Sequence, residues 1–112
     1  MKASQLRRTA LSFPEAEEIE TWGEATFRVR GKMFCILGSD GLRASVKATP
    51  EQQAELLSVA PAVYSFAPYV GRHGWVLVQV PLADAGEVAE LLEEGWRQTA
   101  PKRVVKAFEA GD

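Results

Sequence analysis

The residues best suited to chemistry are cations in the middle of the chain, accompanied by aromatic side chains. The stretches ATFRVR (25–30) and LRASVK (42–47) carry cations at alternate positions. Successive side chains of a strand point to opposite faces, so these cations are predicted to share one sheet face. Cations beside flat aromatic rings suit phosphate pairing and base stacking. The candidate nucleic-acid-binding or anion-binding residues are Arg28, Arg30, Arg43, Lys47, Arg72 and His73, with Trp75 and Tyr69 as stacking residues.

The stretch PYVGRHGWV (68–76) offers a second kind of anion site. Gly71 and Gly74 bracket Arg72 and His73, so the backbone amides of this turn, with the Arg72 guanidinium, could seat a phosphate or a carboxylate. The same glycines would equally serve a turn whose only role is conformational. The basic strands, in turn, would equally form an ordinary solvated face whose arginines pair with neighbouring glutamates. The sequence leaves these alternatives open.

Catalytic motifs are missing from the sequence. A single histidine and a single cysteine cannot form a Cys/His zinc site, and no phosphate-binding, dinucleotide-binding or nucleophile motif is present. Cys35 lies among apolar neighbours in MFCIL, which predicts an inert buried thiol. We therefore expect a protein that is not an enzyme, with no catalytic residues, metal or cofactor. The acidic residues of the third helix predict a solvated face or a surface for a protein partner.

Size and charge set the broad class. The 112 residues, of which 46% are hydrophobic, are enough for one domain with one core. The net charge is −2, but residues 25–80 carry six Lys/Arg against three Asp/Glu, so the middle is basic and the ends are acidic. One cysteine and no long apolar run predict a cytoplasmic protein without membrane contact. The predicted partners are DNA or a small anionic ligand, and the predicted state is a monomer or weak homodimer.

Periodicity predicts the elements that position the candidate residues. A helix is predicted over 4–12, followed by strands at 18–22, 25–30, 33–37 and 42–47, with turns at Gly23–Glu24 and Gly31–Lys32. Thr49-Pro50 begins a second helix that ends near Ser58, and residues 59–74 are rich in loop residues. A strand at 75–80 and a helix from Asp84 follow, with a short or frayed helix after Pro101. This order predicts an α+β fold with an antiparallel sheet covered by helices on one face.

Four blocks of the sequence carry a family resemblance: WGEATFRVRGKMFCIL (22–37), SVKATPEQQAELL (45–57), PYVGRHGWVLVQV (68–80) and APKR (100–103). In order and spacing they resemble the MmcQ/YjbR family of small, uncharacterised bacterial proteins. The resemblance implies a frataxin-like (CyaY-like) fold with two β wings, in a single domain over 1–112 with a core at about 4–103 and a C-terminal extension at 104–112. It also implies DNA binding through the basic wings, and it supplies no catalytic residues.

Overall fold

The computed structural model describes residues 1–111 and contains four α-helices and six β-strands. The helices are α1 (Ala3–Ser12), α2 (Pro50–Val59), α3 (Ala85–Thr99) and α4 (Lys102–Glu109). The strands are β1 (Ala16–Thr21), β2 (Glu24–Val29), β3 (Lys32–Leu37), β4 (Arg43–Val46), β5 (Tyr64–Phe66) and β6 (Val76–Gln79). Thr49 and Asp84 cap α2 and α3, because their side chains accept the N–H groups of Gln52 and Glu87. No helix within residues 1–111 combines the length and the hydropathy that crossing a bilayer requires.

All six strands form one antiparallel sheet in the order β1-β2-β3-β4-β6-β5. One face packs against α1 and α3 and supplies most of the core, including Phe27, Cys35, Val46 and Val76, which lie in one row across the central strands. The predicted α+β fold, with an antiparallel sheet covered by helices on one face, is confirmed. The opposite face is the open face of the sheet.

Both hairpin turns lie one residue earlier than the sequence suggested. The central residues are Trp22–Gly23 and Arg30–Gly31, and all four have positive φ, at 50°, 84°, 51° and 83°. Two consecutive positive φ angles are typical of a type I′ turn, whose twist matches that of the flanking strands. The prediction of Gly31–Lys32 as a glycine-first turn was therefore wrong, because glycine occupies the second central position. As a result, Trp22 lies at a turn tip, where its side chain is 97% exposed.

The segment predicted as loop between 59 and 74 contains the short strand β5 and a single 3-10 turn at Gly71–His73. Both glycines of this turn permit close packing. A Cβ at Gly71 would overlap the Phe66 ring, and a Cβ at Gly74 would lie 2.8 Å from backbone atoms of Ala48, Thr49 and Pro50. Gly74 also has a φ of 97°, which side-chain-bearing residues rarely adopt. The turn that precedes β6 is therefore packed directly against the backbone at the start of α2.

Helix α4 lies largely in the predicted C-terminal extension. Its Phe108 packs edge-on against Trp96 and Phe13, with ring centroids 4.9 and 6.2 Å apart. Trp96 is completely buried, and its Nε1 donates a hydrogen bond to the Pro14 carbonyl at 2.9 Å. The aromatic cluster therefore ties α3, α4 and the end of α1 together. Asp112 lies outside the described residues.

Candidate functional site

A shallow groove of about 380 Å³ lies on the open face of the sheet. Ile36, Ser45 and Leu77 sit side by side on β3, β4 and β6 and line its surface. Pro68 and Tyr69, from the loop after β5, also line it. This volume falls within the range of small-molecule sites. We call it the open-face groove; its lining residues are Glu24, Ile36, Gly38, Ser39, Asp40, Arg43, Ser45, Pro68, Tyr69 and Leu77.

Gly38 lies between the charged residues Glu24 and Arg43 in the lining of this groove. Its N–H donates to the Arg43 carbonyl at 3.0 Å, so Gly38 pairs with Arg43 across β3 and β4. Because Ala25 pairs with Leu37, extending the register by one residue places Glu24 on the other side of Gly38. Glu24 and Arg43 are thus two strands apart, about 10 Å between backbones. Glycine leaves no side chain between them.

The charges in the groove do not neutralise one another. The guanidinium nitrogens of Arg43 lie more than 4 Å from every carboxylate oxygen of residues 1–111, and they make no hydrogen bond to any of those residues. Glu24 likewise has no ion-pair partner there, and Asp40 uses only Oδ1, which accepts the Leu42 N–H at 3.0 Å. The groove therefore presents a free guanidinium and two carboxylates with unused acceptor oxygens.

Tyr69 supplies an aromatic wall. Its side chain is 95% exposed and its φ is 63°, a left-handed conformation that is uncommon for a bulky residue. Outliers of this kind cluster at functional sites, where the surrounding structure holds them. Of the two stacking residues proposed from sequence, Tyr69 has its ring open to a ligand. Trp75 is only 7% exposed, so its indole is packed inside the protein and is not open to a ligand.

Arg28 lies on the open face, but its guanidinium is engaged. It donates to Thr26 Oγ1 at 3.0 Å, to the Gly31 carbonyl at 2.9 Å and to Thr21 Oγ1 at 3.3 Å. Arginine has five N–H donors, and these three bonds tie the side chain to β1, to β2 and to the turn between β2 and β3. The arrangement gives Arg28 a role in holding these elements together.

Arg30 and Lys47 are directed away from the groove. Arg30 forms two hydrogen bonds with Glu15, at 2.8 and 3.2 Å, and the hydrogen bond from Arg30 lowers the pKa of Glu15 below its usual value. Lys47 Nζ reaches Thr99 Oγ1 of α3 at 3.4 Å, on the helical side of the sheet. The strand alternation ends with Val46, so the expectation that Lys47 shares a face with Arg43 was wrong.

Three of the four backbone N–H groups of the turn at 71–74 are already hydrogen-bonded. The N–H groups of Gly71, His73 and Gly74 donate to carbonyls of Ala67, Val70 and Gly71 at 2.9 Å, leaving them unavailable for an anion. The exposed Arg72 donates from Nε to His73 Nε2 at 3.3 Å. Arg43 is the first residue of β4, whereas Gly74 packs on residues 48–50, which follow the last residue of that strand. The turn and Arg43 therefore lie at opposite ends of β4.

The cations proposed from sequence are therefore not brought together on one surface. Arg43 and Tyr69 line the groove. Arg28 and Arg30 are hydrogen-bonded to other residues of the protein, and the remaining candidates lie outside the groove. Gly38 and Asp40 were not predicted to be neighbours of Arg43. Strand parity placed Ser45 beside Arg43, but the contribution of Tyr69 depends on a loop path that local patterns do not encode.

Other chemistry-bearing residues lie outside the groove. Cys35 is completely buried, and burial raises the pKa of its thiol. Residues 1–111 contain no cluster of three or more side chains suited to hold a metal ion. A second groove between α2 and α3 is lined by four glutamates, of which Glu87 accepts a hydrogen bond from Tyr64 at 3.1 Å. Burial of the Tyr64 side chain is the main cause, and this hydrogen bond the second, of a rise in the pKa of Tyr64 to about 12.

Comparison with known proteins identifies relatives of the whole architecture. A family model described as YjbR matches residues 11–98. The crystal structure of Deinococcus radiodurans protein DR2400, described as a DUF419 domain, is similar with a TM-score of 0.80 and 23% sequence identity, over 91% of this chain and 80% of that chain. No curated protein matches the chain. At this identity the structural likeness establishes the fold alone.

Proposed function

This chain belongs to the YjbR family, and we propose that it is a binding module for a small ligand bearing an anionic group, held in the open-face groove. The observation that carries the proposal is the unpaired Arg43 guanidinium within a groove of ligand size. Arg43 and the Ser45 hydroxyl are donors for a carboxylate or phosphate. Ile36, Leu77 and Tyr69 offer apolar and aromatic contacts to the rest of the molecule.

This proposal moves the anion site predicted from sequence. The 71–74 turn was one candidate location, and its bonded amides argue against it. The open-face groove keeps one predicted cation, Arg43, and one predicted aromatic residue, Tyr69. No catalytic role is included, so the protein would bind its ligand without transforming it.

DNA binding through the basic wings is the competing hypothesis from the sequence. It requires several cations that are free to neutralise phosphates along one surface. Arg30 is already paired with Glu15, Lys47 lies on the helical side, and Arg28 makes three internal bonds. These contacts favour the small ligand, and duplex DNA serves as the comparison in the experiment.

The test is an NMR titration of ¹⁵N-labelled protein with inorganic phosphate, hexanoate, phenylacetate and a 12-base-pair duplex. We expect at least one small anion to shift the amide signals of Gly38, Ser45 and Tyr69 in a saturable way. Arg43→Gln should weaken that binding about fivefold or more, since it removes a charge-assisted hydrogen bond. The matched control Arg72→Gln should leave the affinity unchanged.

Two outcomes would contradict the proposal. Shifts centred on residues 71–74 that vanish in Arg72→Gln would place the anion at the turn. Saturable binding of the duplex alone, with an affinity that falls steeply as salt is raised, would favour nucleic acid.

A further inference from the structure

The open-face groove contains charges of both signs that remain apart. A site selecting only for anions would be expected to keep carboxylates out, because like charge disfavours the ligand. Here Glu24 and Asp40 line the same groove as Arg43. Neither acid forms an ion pair with Arg43 or with any other cation of residues 1–111.

The register fixes how these charges are arranged. Glu24 and Arg43 flank Gly38 in one row across three neighbouring strands, about 10 Å apart at the backbone. Asp40 sits in the turn that connects β3 to β4, with its Oδ1 held by the Leu42 N–H. A Cβ at Gly38 would lie 3.6 Å from Asp40 Oδ1 and 3.3 Å from the Arg43 carbonyl, so the bare glycine keeps this space open.

From this arrangement we infer that the ligand is a zwitterion whose amine and acid groups are separated by a short apolar chain. Its acid group binds Arg43, its ammonium group binds Glu24, and its methylenes lie over Gly38 between them. Ile36 and Leu77, from the adjacent row, provide apolar surface for the chain. This inference rests on the proposed function and adds the ligand class.

A pair of charges on one carbon atom would suit this groove less well. Glu24 and Arg43 lie on opposite sides of Gly38, so a ligand with widely spaced charges can reach both. An α-amino acid presents its amine and carboxylate from the same carbon, and it would satisfy one side only. Charge separation is therefore the property that the groove should select.

The experiment compares ligands that carry the acid group, the amine group or both, at different separations. Hexanoate, 6-aminohexanoate, hexylamine and alanine are titrated into ¹⁵N-labelled full-length protein, and dissociation constants are obtained from the shifts of Gly38 and Ser45. We expect 6-aminohexanoate to bind about two- to fivefold more tightly than hexanoate, the range for one exposed ion pair. Alanine and hexylamine should bind more weakly than either.

Charge-neutral variants assign the amine. Glu24→Gln and Asp40→Asn preserve side-chain size, and the asparagine retains an oxygen that can accept the Leu42 N–H. In Glu24→Gln, 6-aminohexanoate should lose its advantage over hexanoate, while hexanoate itself should bind as well as before or better. Glu17→Gln, on the outer strand, is the matched control and should preserve the advantage.

The outcomes separate this inference from the proposed function. If hexanoate and 6-aminohexanoate bind equally at the groove, the zwitterion inference fails and the anion-binding proposal stands. If the advantage of the amine persists in Glu24→Gln, the inference also fails. If none of the ligands shifts the groove signals, and phosphate and phenylacetate do not either, both fail together.

Discussion

Replacing Gly74 by alanine tests whether the GRHG turn is a packing corner. The new Cβ would lie 2.8 Å from backbone atoms of Ala48, Thr49 and Pro50, and φ is 97°. Left-handed backbone costs an alanine roughly 1–2 kcal/mol. Alanine also lowers the conformational entropy of the unfolded chain, which stabilises the folded state by about 0.4–1 kcal/mol. Overpacking adds about 1–3 kcal/mol, since a rigid backbone must shift. We therefore expect Gly74→Ala to lower the free energy of unfolding by about 1–4.5 kcal/mol.

Gly31→Ala is the matched control for this measurement. Gly31 also has a left-handed φ, 83°, but a Cβ there would meet nothing within 4 Å. Gly31→Ala should therefore lower the free energy of unfolding by only about 0–1.5 kcal/mol, which is the backbone strain less the entropy gain. Equilibrium urea unfolding followed by far-UV circular dichroism gives both values. A difference between the two variants below about 0.5 kcal/mol would refute the packing explanation.

Two further predictions concern the surface. The hydrogen bond from Arg30 lowers the pKa of Glu15 below its usual value of 4.5. The pair should therefore stabilise the fold at pH values above 4.5, and this stabilisation should be lost as the pH falls through the lowered pKa. Acid unfolding of Glu15→Gln should therefore show a smaller loss of stability below pH 4.5 than the parent protein, and an unchanged acid profile would argue against the pair. Trp22 is 97% exposed while Trp75 and Trp96 are buried, so acrylamide should quench mainly Trp22 fluorescence; if Trp22→Phe retains most of the quenchable emission, the turn assignment is wrong.

Strong local signals predicted most of the architecture. Thr49-Pro50 and Asp84 began helices as expected, because their capping chemistry is local. Strict alternation in ATFRVR placed Phe27 and Val29 in the core and Arg28 on the open face. The family resemblance pointed to the same α+β fold. The frataxin-like comparison and the double-wing DNA-binding role remain predictions.

The site was harder to predict, because it depends on contacts between distant parts of the chain. Alternation placed Lys47 with Arg43, but β4 ends at Val46 and Lys47 turns toward Thr99. Glu15 was not a predicted partner of Arg30, since a loop residue has no periodicity to follow. Likewise, nothing local to PYVGRHGWV reveals that Tyr69 reaches the groove while Trp75 is buried.

The most direct test of anion binding in the open-face groove observes the arginine side chains themselves. The Nε–Hε signals of Arg28, Arg43 and Arg72 are assigned from the peak that disappears in each Arg→Gln variant, and phenylacetate is then titrated. The Arg43 signal should move along a saturable curve while those of Arg28 and Arg72 stay in place. Movement of Arg72 alone, or a uniform drift of all three signals without saturation, would contradict the account.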